Sequence, residues 1–112
     1  MKVIYHIDER EKWSLCLGNV ENMKAYYRSH HIPYQIEVLA NSLAVKDYVK
    51  DSALALKLKE LSCQGIQFAA CHNALRGQKI ALEDLLEEVV VVDAGVVELA
   101  LKQSQGFAYI KP

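Results

Sequence analysis

The run Val89-Val90-Val91-Val92, followed by Asp93 and a helical pattern over about Ala94 to Gln105, decides the class of fold. Four consecutive β-branched residues predict a strand, and a strand without polar alternation is expected to be buried on both faces. Burial of that kind suits a parallel sheet covered by helices, not an antiparallel sheet with one wet face. Asp93 stands where a helix cap belongs, Val97, Ala100 and Leu101 are the expected inward stripe, and Gly106 ends the helix. Phe107 to Ile110 reads as a last strand before Pro112.

Working back toward the N-terminus, the same alternation repeats. Ile66 to Ala70 is a third strand, with Gly65 before it at the close of a helix carrying Leu54, Leu58 and Leu61 on one face. Asp51-Ser52 can cap that helix, and a shorter one over about Leu43 to Val49 precedes it. Tyr34 to Ala40 is a second strand, set off by Pro33. Trp13, Cys16, Leu17, Val20, Met23 and Tyr27 recur at three- and four-residue steps, which predicts a helix over about Glu11 to His30. Val3 to Ile7 is the first strand. Between Cys71 and the valines, Ala81 to Leu86 reads as a short helical or irregular link. Strands alternating with helices imply a three-layer α/β/α sandwich around a five-stranded, mostly parallel sheet.

A chain of 112 residues is expected to form one domain over 1–112. At 52% hydrophobic and 24% charged residues it has the balance of a globular protein. Its small size makes burial against copies of itself favourable. The net charge is −1, with no basic run of the kind that binds nucleic acid. No apolar stretch is long enough to span a membrane, and the N-terminus turns polar too early for a secretion signal, so the expected location is the cytoplasm. Three cysteines, with no C-x-x-C, argue against a disulfide framework.

In open parallel sheets, sites form at the carboxyl ends of strands. Asp8, Asn41, Cys71 and Asp93 fall at such ends and are expected along one rim. Asp8, Asn41 and Asp93 also suit helix N-caps. Cysteine is not a usual cap. Backbone N–H groups from His72 through Ala74 would face the Cys71 sulfur if a helix starts there, and Arg76 could add positive charge. A buried structural cysteine is the competing interpretation. Cys16, on the first helical stripe, and Cys63, near a helix end, are expected to be structural. His72 is a possible proton partner, although adjacent side chains point apart. The four histidines show no metal-ligand spacing, and the five glycines form no phosphate-binding loop. No cofactor and no metal site is expected.

The run Phe68-Ala69-Ala70-Cys71-His72-Asn73-Ala74-Leu75-Arg76-Gly77 resembles the strand-Cys-turn segment of the DsrE/DsrF-like family. Glu83-Asp84-Leu85-Leu86, the valine strand, Gly95-Val96-Val97-Glu98-Leu99, Gln103 and the ending Gly106-Phe107-Ala108-Tyr109-Ile110 fit as well, as do the opening strand with His6 and Trp13 and the Ala40-Asn41 turn. The resemblance covers nearly the whole chain. It implies a flavodoxin-like α/β/α fold, a homo-oligomer (trimer or hexamer), and a sulfur-relay role in which Cys71 carries sulfane sulfur as a persulfide between donor and acceptor proteins. His72, Asn73, Arg76, Asn41 and Asp8 are the expected binding residues around it. Two other functions stay open on the residues: a non-catalytic module holding a small ligand at the rim, and a redox sensor oxidised at Cys71.

Overall fold

Five short strands form a single sheet in the computed structural model, which describes residues 1–112. They are β1 (Lys2–Ile7), β2 (Gln35–Ala40), β3 (Ile66–Cys71), β4 (Val89–Val92) and β5 (Ala108–Ile110). Every neighbouring pair is parallel, in the order β4-β3-β2-β1-β5. The helices are α1 (Trp13–Ser29), α2 (Ala55–Cys63), α3 (His72–Gly77) and α4 (Gly95–Ser104). Tighter 3-10 turns occupy Arg10–Lys12, Ser42–Tyr48 and Leu82–Asp84. This is the expected three-layer α/β/α architecture.

The strand order explains the unequal layers. From β1 to β4 each crossover moves one strand in the same direction, so right-handed connections stack on one face. The last connection runs back past β3 and β2 to the far side of β1. A right-handed return in that direction must cross the opposite face, and α4 is there alone.

Alternation along each strand divides the core accordingly. Val3, Tyr5, Ile7, Ile36, Val38, Ala40, Ile66, Phe68 and Ala70 point to the larger core, where they meet Trp13, Cys16, Val20, Tyr48, Leu58, Leu61 and Leu75. Each large apolar side chain buried there contributes roughly 1.5–3 kcal/mol. The polar atoms it encloses are bonded: Trp13 Nε1 donates to the Ala44 carbonyl at 3.1 Å and the Tyr48 hydroxyl to that of Val38 at 2.9 Å. The α4 side holds a smaller core of Ile4, Leu39, Ala69, Leu99 and Phe107.

Three expectations are corrected here. The valine strand β4 is an edge strand, and Val90 is 47% exposed and Val91 also exposed. The inward side of α4 is Gly95 and Leu99, while Val97, Ala100 and Leu101 face outward. Phe107 precedes β5 and turns into the smaller core instead of opening the strand. No helix is long and apolar enough to cross a membrane.

Candidate functional site

Parallel pairing places Asp8, Asn41, Cys71 and Asp93 at the same carboxyl edge of the sheet, as the sequence implied. The pairs Ala40–Ala70 and Cys71–Val92 set Asn41 beside Cys71, on strands that are direct neighbours. The side chains of Asn41 and Cys71 share the α4 side of the sheet with those of Leu39 and Ala69, two residues back, and with His6, which pairs with Leu39.

Cys71 ends β3 and is the N-cap residue of the six-residue helix α3. It is buried, with 7% of its surface exposed. Part of its cover is the first turn of α4. A Cβ on Gly95 would lie 3.2 Å from the Cβ of Cys71, 3.2 Å from Leu39 Cδ1 and 3.4 Å from the Cβ of Asn41. Glycine at that position therefore lets the α4 backbone close directly over the Cys71–Asn41 pair.

The other expected binding residues divide. His72, Asn73 and Arg76 do come together, on the outer side of α3. Arg76 Nη2 donates to Asn73 Oδ1 at 2.5 Å, and its Nη1 lies 3.4 Å from His72 Nδ1. The guanidinium is thus engaged with its own helix. Asp8 accepts from Lys111 Nζ at 2.9 Å, and this hydrogen bond holds its carboxyl below the usual carboxylate range. None of Asp8, Asn41 and Asp93 serves as a side-chain cap. Asn41 is the N-cap residue of a 3-10 turn but bonds elsewhere, and Ala94 takes the cap position before α4.

Asn41 instead belongs to a hydrogen-bonded series that sequence reasoning missed. Its Oδ1 lies 3.0 Å from His6 Nε2, and His6 Nδ1 lies 2.7 Å from the Tyr109 hydroxyl. Tyr109 reaches His6 because β5 pairs with β1, a neighbour relation that sequence order does not disclose. A second missed residue is Glu37, which is only 2% exposed beneath α4. Its two carboxylate oxygens meet no N–H or O–H donor, and Lys102 Nζ stands 3.8 Å from Oε1. Burial, and then the neighbouring Glu98 carboxyl, push its pKa up to about 8 against the pull of Lys102. A glutamate alternating with Ile36 and Val38 was the available signal.

The cysteines differ sharply. Cys16 is fully buried and desolvation raises its thiol to about 12. Cys63 is exposed at the end of α2, contrary to the expected structural role. No group of three His, Cys, Asp or Glu side chains converges as a metal site. The largest cavity, about 450 Å³, is lined by Val49, Lys50, Asp51, Lys79, Ile80 and Asp84 and does not include the rim around Cys71.

No family model matches the chain, and no curated protein does. Solved structures do. A protein of unknown function, MTH1491 from Methanobacterium thermoautotrophicum, is 37% identical over 99% of this chain and 98% of its own, with a TM-score of 0.91. The conserved protein of unknown function BT1422 from Bacteroides thetaiotaomicron has a TM-score of 0.75 at 14% identity over 99% of this chain and 94% of its own. The YchN protein from E. coli has a TM-score of 0.74 at 16% identity over the full length of both chains. The last two share the fold. At the identity and coverage of the first, the chain belongs to one family of small α/β proteins with MTH1491.

Proposed function

We propose that this protein is a DsrE/DsrF-like sulfur-relay protein that carries sulfane sulfur on Cys71. The observation that carries this proposal is the seat of Cys71 at the carboxyl end of β3, beside Asn41 and under the first turn of α4. The resemblance of Phe68 to Gly77 to the strand-Cys-turn segment of that family supports it.

The chemistry is thiol exchange. The Cys71 thiolate attacks the outer sulfur of a donor persulfide, R–S–SH. A bond from Sγ to that sulfur forms as the donor S–S bond breaks. The donor leaves as a thiolate and takes a proton from solvent, and Cys71 becomes a persulfide. An acceptor thiolate then attacks the same outer sulfur, and Cys71 returns as a thiolate. The donor is reduced as Cys71 is oxidised, so no further oxidant is needed. Burial protects the persulfide from bulk reductants, and only a small sulfur species or a docked partner reaches it. Asn41 and the polar residues of α3 (His72, Asn73 and Arg76), with Asp8 further along the rim, form the surface on which such a partner would dock.

Intact mass after incubation with a small persulfide donor tests this. A Cys63→Ser protein should gain one sulfur, and the further change Cys71→Ser should abolish the gain without loss of fold. Sulfur retained after Cys71→Ser would refute the assignment. We also propose that the protein is a homo-oligomer, a trimer in the first instance, assembled through the outward apolar residues of α4.

A further inference from the structure

The series Tyr109–His6–Asn41 has a direction. Asn41 Oδ1 is an acceptor only, so the His6 nitrogen facing it, Nε2, carries the hydrogen. In a neutral imidazole Nδ1 is then the acceptor, and the Tyr109 hydroxyl donates to it. Tyr109 therefore fixes the tautomer of His6, and His6 fixes which way the Asn41 amide turns.

The strand order gives that turn a consequence. His6 lies on β1, Asn41 follows β2, Cys71 ends β3, and β2 stands between the other two. With Oδ1 committed to the β1 side, the Asn41 Nδ2 amide hydrogens are left for the β3 side, where Cys71 is the neighbour. A Cβ built on Gly95 would touch both side chains, 3.2 Å from the Cys71 Cβ and 3.4 Å from the Asn41 Cβ, so the two line one space beneath the first turn of α4, and a turn of either side chain brings Nδ2 toward the sulfur. An N–H donor aimed at an anionic sulfur makes a charge-assisted hydrogen bond, stronger where water is scarce.

We propose that Asn41 donates a hydrogen bond through Nδ2 to the sulfur borne on Cys71, either the thiolate or the outer sulfur of the persulfide. His6 and Tyr109 are positioning residues that hold the amide in the donating orientation. This deepens the sulfur-relay proposal and rests on it for the persulfide, although the hydrogen bond to the thiolate can be tested without it.

The experiment uses the full chain with Cys63→Ser, and three readouts: the ¹⁵N shifts of the His6 ring, the rate of Cys71 alkylation by iodoacetamide, and the rate of persulfide loading. The parent should show the Nε2–H tautomer. Asn41→Ala should slow alkylation and loading by about tenfold or more, the lower end of the scale for a hydrogen bond to a charged group. Asn41→Asp, similar in shape but without the donor, should slow them at least as much. Tyr109→Phe, at an exposed side chain, should mix the His6 tautomers and slow both rates by a smaller factor. An Nδ1–H tautomer in the parent, or Asn41 variants that keep the parental alkylation rate, would overturn the inference. If the parent takes up no sulfur while Asn41→Ala still slows alkylation, the hydrogen bond stands and the sulfur-relay proposal falls. If the parent loads sulfur and the Asn41 variants do so equally fast, the relay stands and the hydrogen bond falls.

Discussion

The three thiols show how far residue type and local pattern carry, and where neighbours take over. Cys16 was legible as a core residue from its helical stripe, and the structure gives it no exposure. The exposure of Cys63, expected to be structural, and the burial of Cys71 were not legible. Cys63 follows Leu61 by two positions in the pattern, which turns it off the buried face of α2. Cys71 is covered by Gly95, which is distant in sequence. Size of reagent should therefore separate them. A bulky maleimide is expected to label Cys63 first, Cys71 slowly, and Cys16 only on unfolding, as read by peptide mapping over a time course. Maleimide labelling of Cys71 ahead of Cys63 would show that the first turn of α4 does not cover the sulfur in solution. Asn41 illustrates the same limit. Its place at a strand end was readable from the chain, but its partner His6 depends on pairing between β1 and β2, and Tyr109 on pairing between β1 and β5.

At the scale of elements, the sequence disclosed strands and helices well because each carries its own period. It disclosed their surroundings less well. The valine run did form a parallel strand, but not because both faces are buried, since β4 lies at the sheet edge. The outward stripe of α4 was mistaken for its inward one because Val97, Ala100 and Leu101 are more apolar than the glycine that makes the close approach. Beneath α4, the Glu37–Glu98 pair should make stability depend on pH. Glu37 titrates near 8 in the folded chain and near ~4.3 when unfolded, so the native state holds the extra proton between those values. Stability from this group is fullest below the unfolded value and is lost as pH rises toward 8. Glu37→Gln keeps the shape, removes the titration and can donate to Glu98. It is expected to flatten the pH dependence of the melting temperature over that window and to stabilise the protein by roughly 1–3 kcal/mol at pH 8. An unchanged slope in Glu37→Gln would mean that Glu37 is ionised in the folded chain at neutral pH. The groups facing it from α4 are Glu98 and Lys102, and from β3 the uncharged Gln67, so Lys102→Met should push the midpoint further upward.

For the whole molecule, the topology leaves one side of the sheet with a single helix, and that helix presents apolar residues to both sides. Val96 and Val97 are 68% and 64% exposed, Leu101 is exposed as well, and Val90 and Val91 on the edge strand are exposed too. Scattered apolar residues on a surface need no explanation, but several on one ten-residue helix call for cover. A stable interface buries roughly 800 Å² per partner, so the exposed apolar residues of α4 would be the centre of a larger contact. Light scattering at micromolar concentration is therefore expected to give three chain masses. Val97→Lys is the informative variant, because lysine is a better helix former than valine and sits at an outward position. Loss of assembly in it would not reflect loss of α4. It is expected to yield a folded monomer, and a trimer that survives the change, or a parent that is already monomeric, would place the contact elsewhere or remove it. Assembly and chemistry then meet in one element. The helix that partner chains would hold from outside is the helix whose first residue closes over Cys71 from inside. A monomeric Val97→Lys protein should therefore let maleimide reach Cys71 faster than the parent does, while labelling of Cys63 on α2 stays the same.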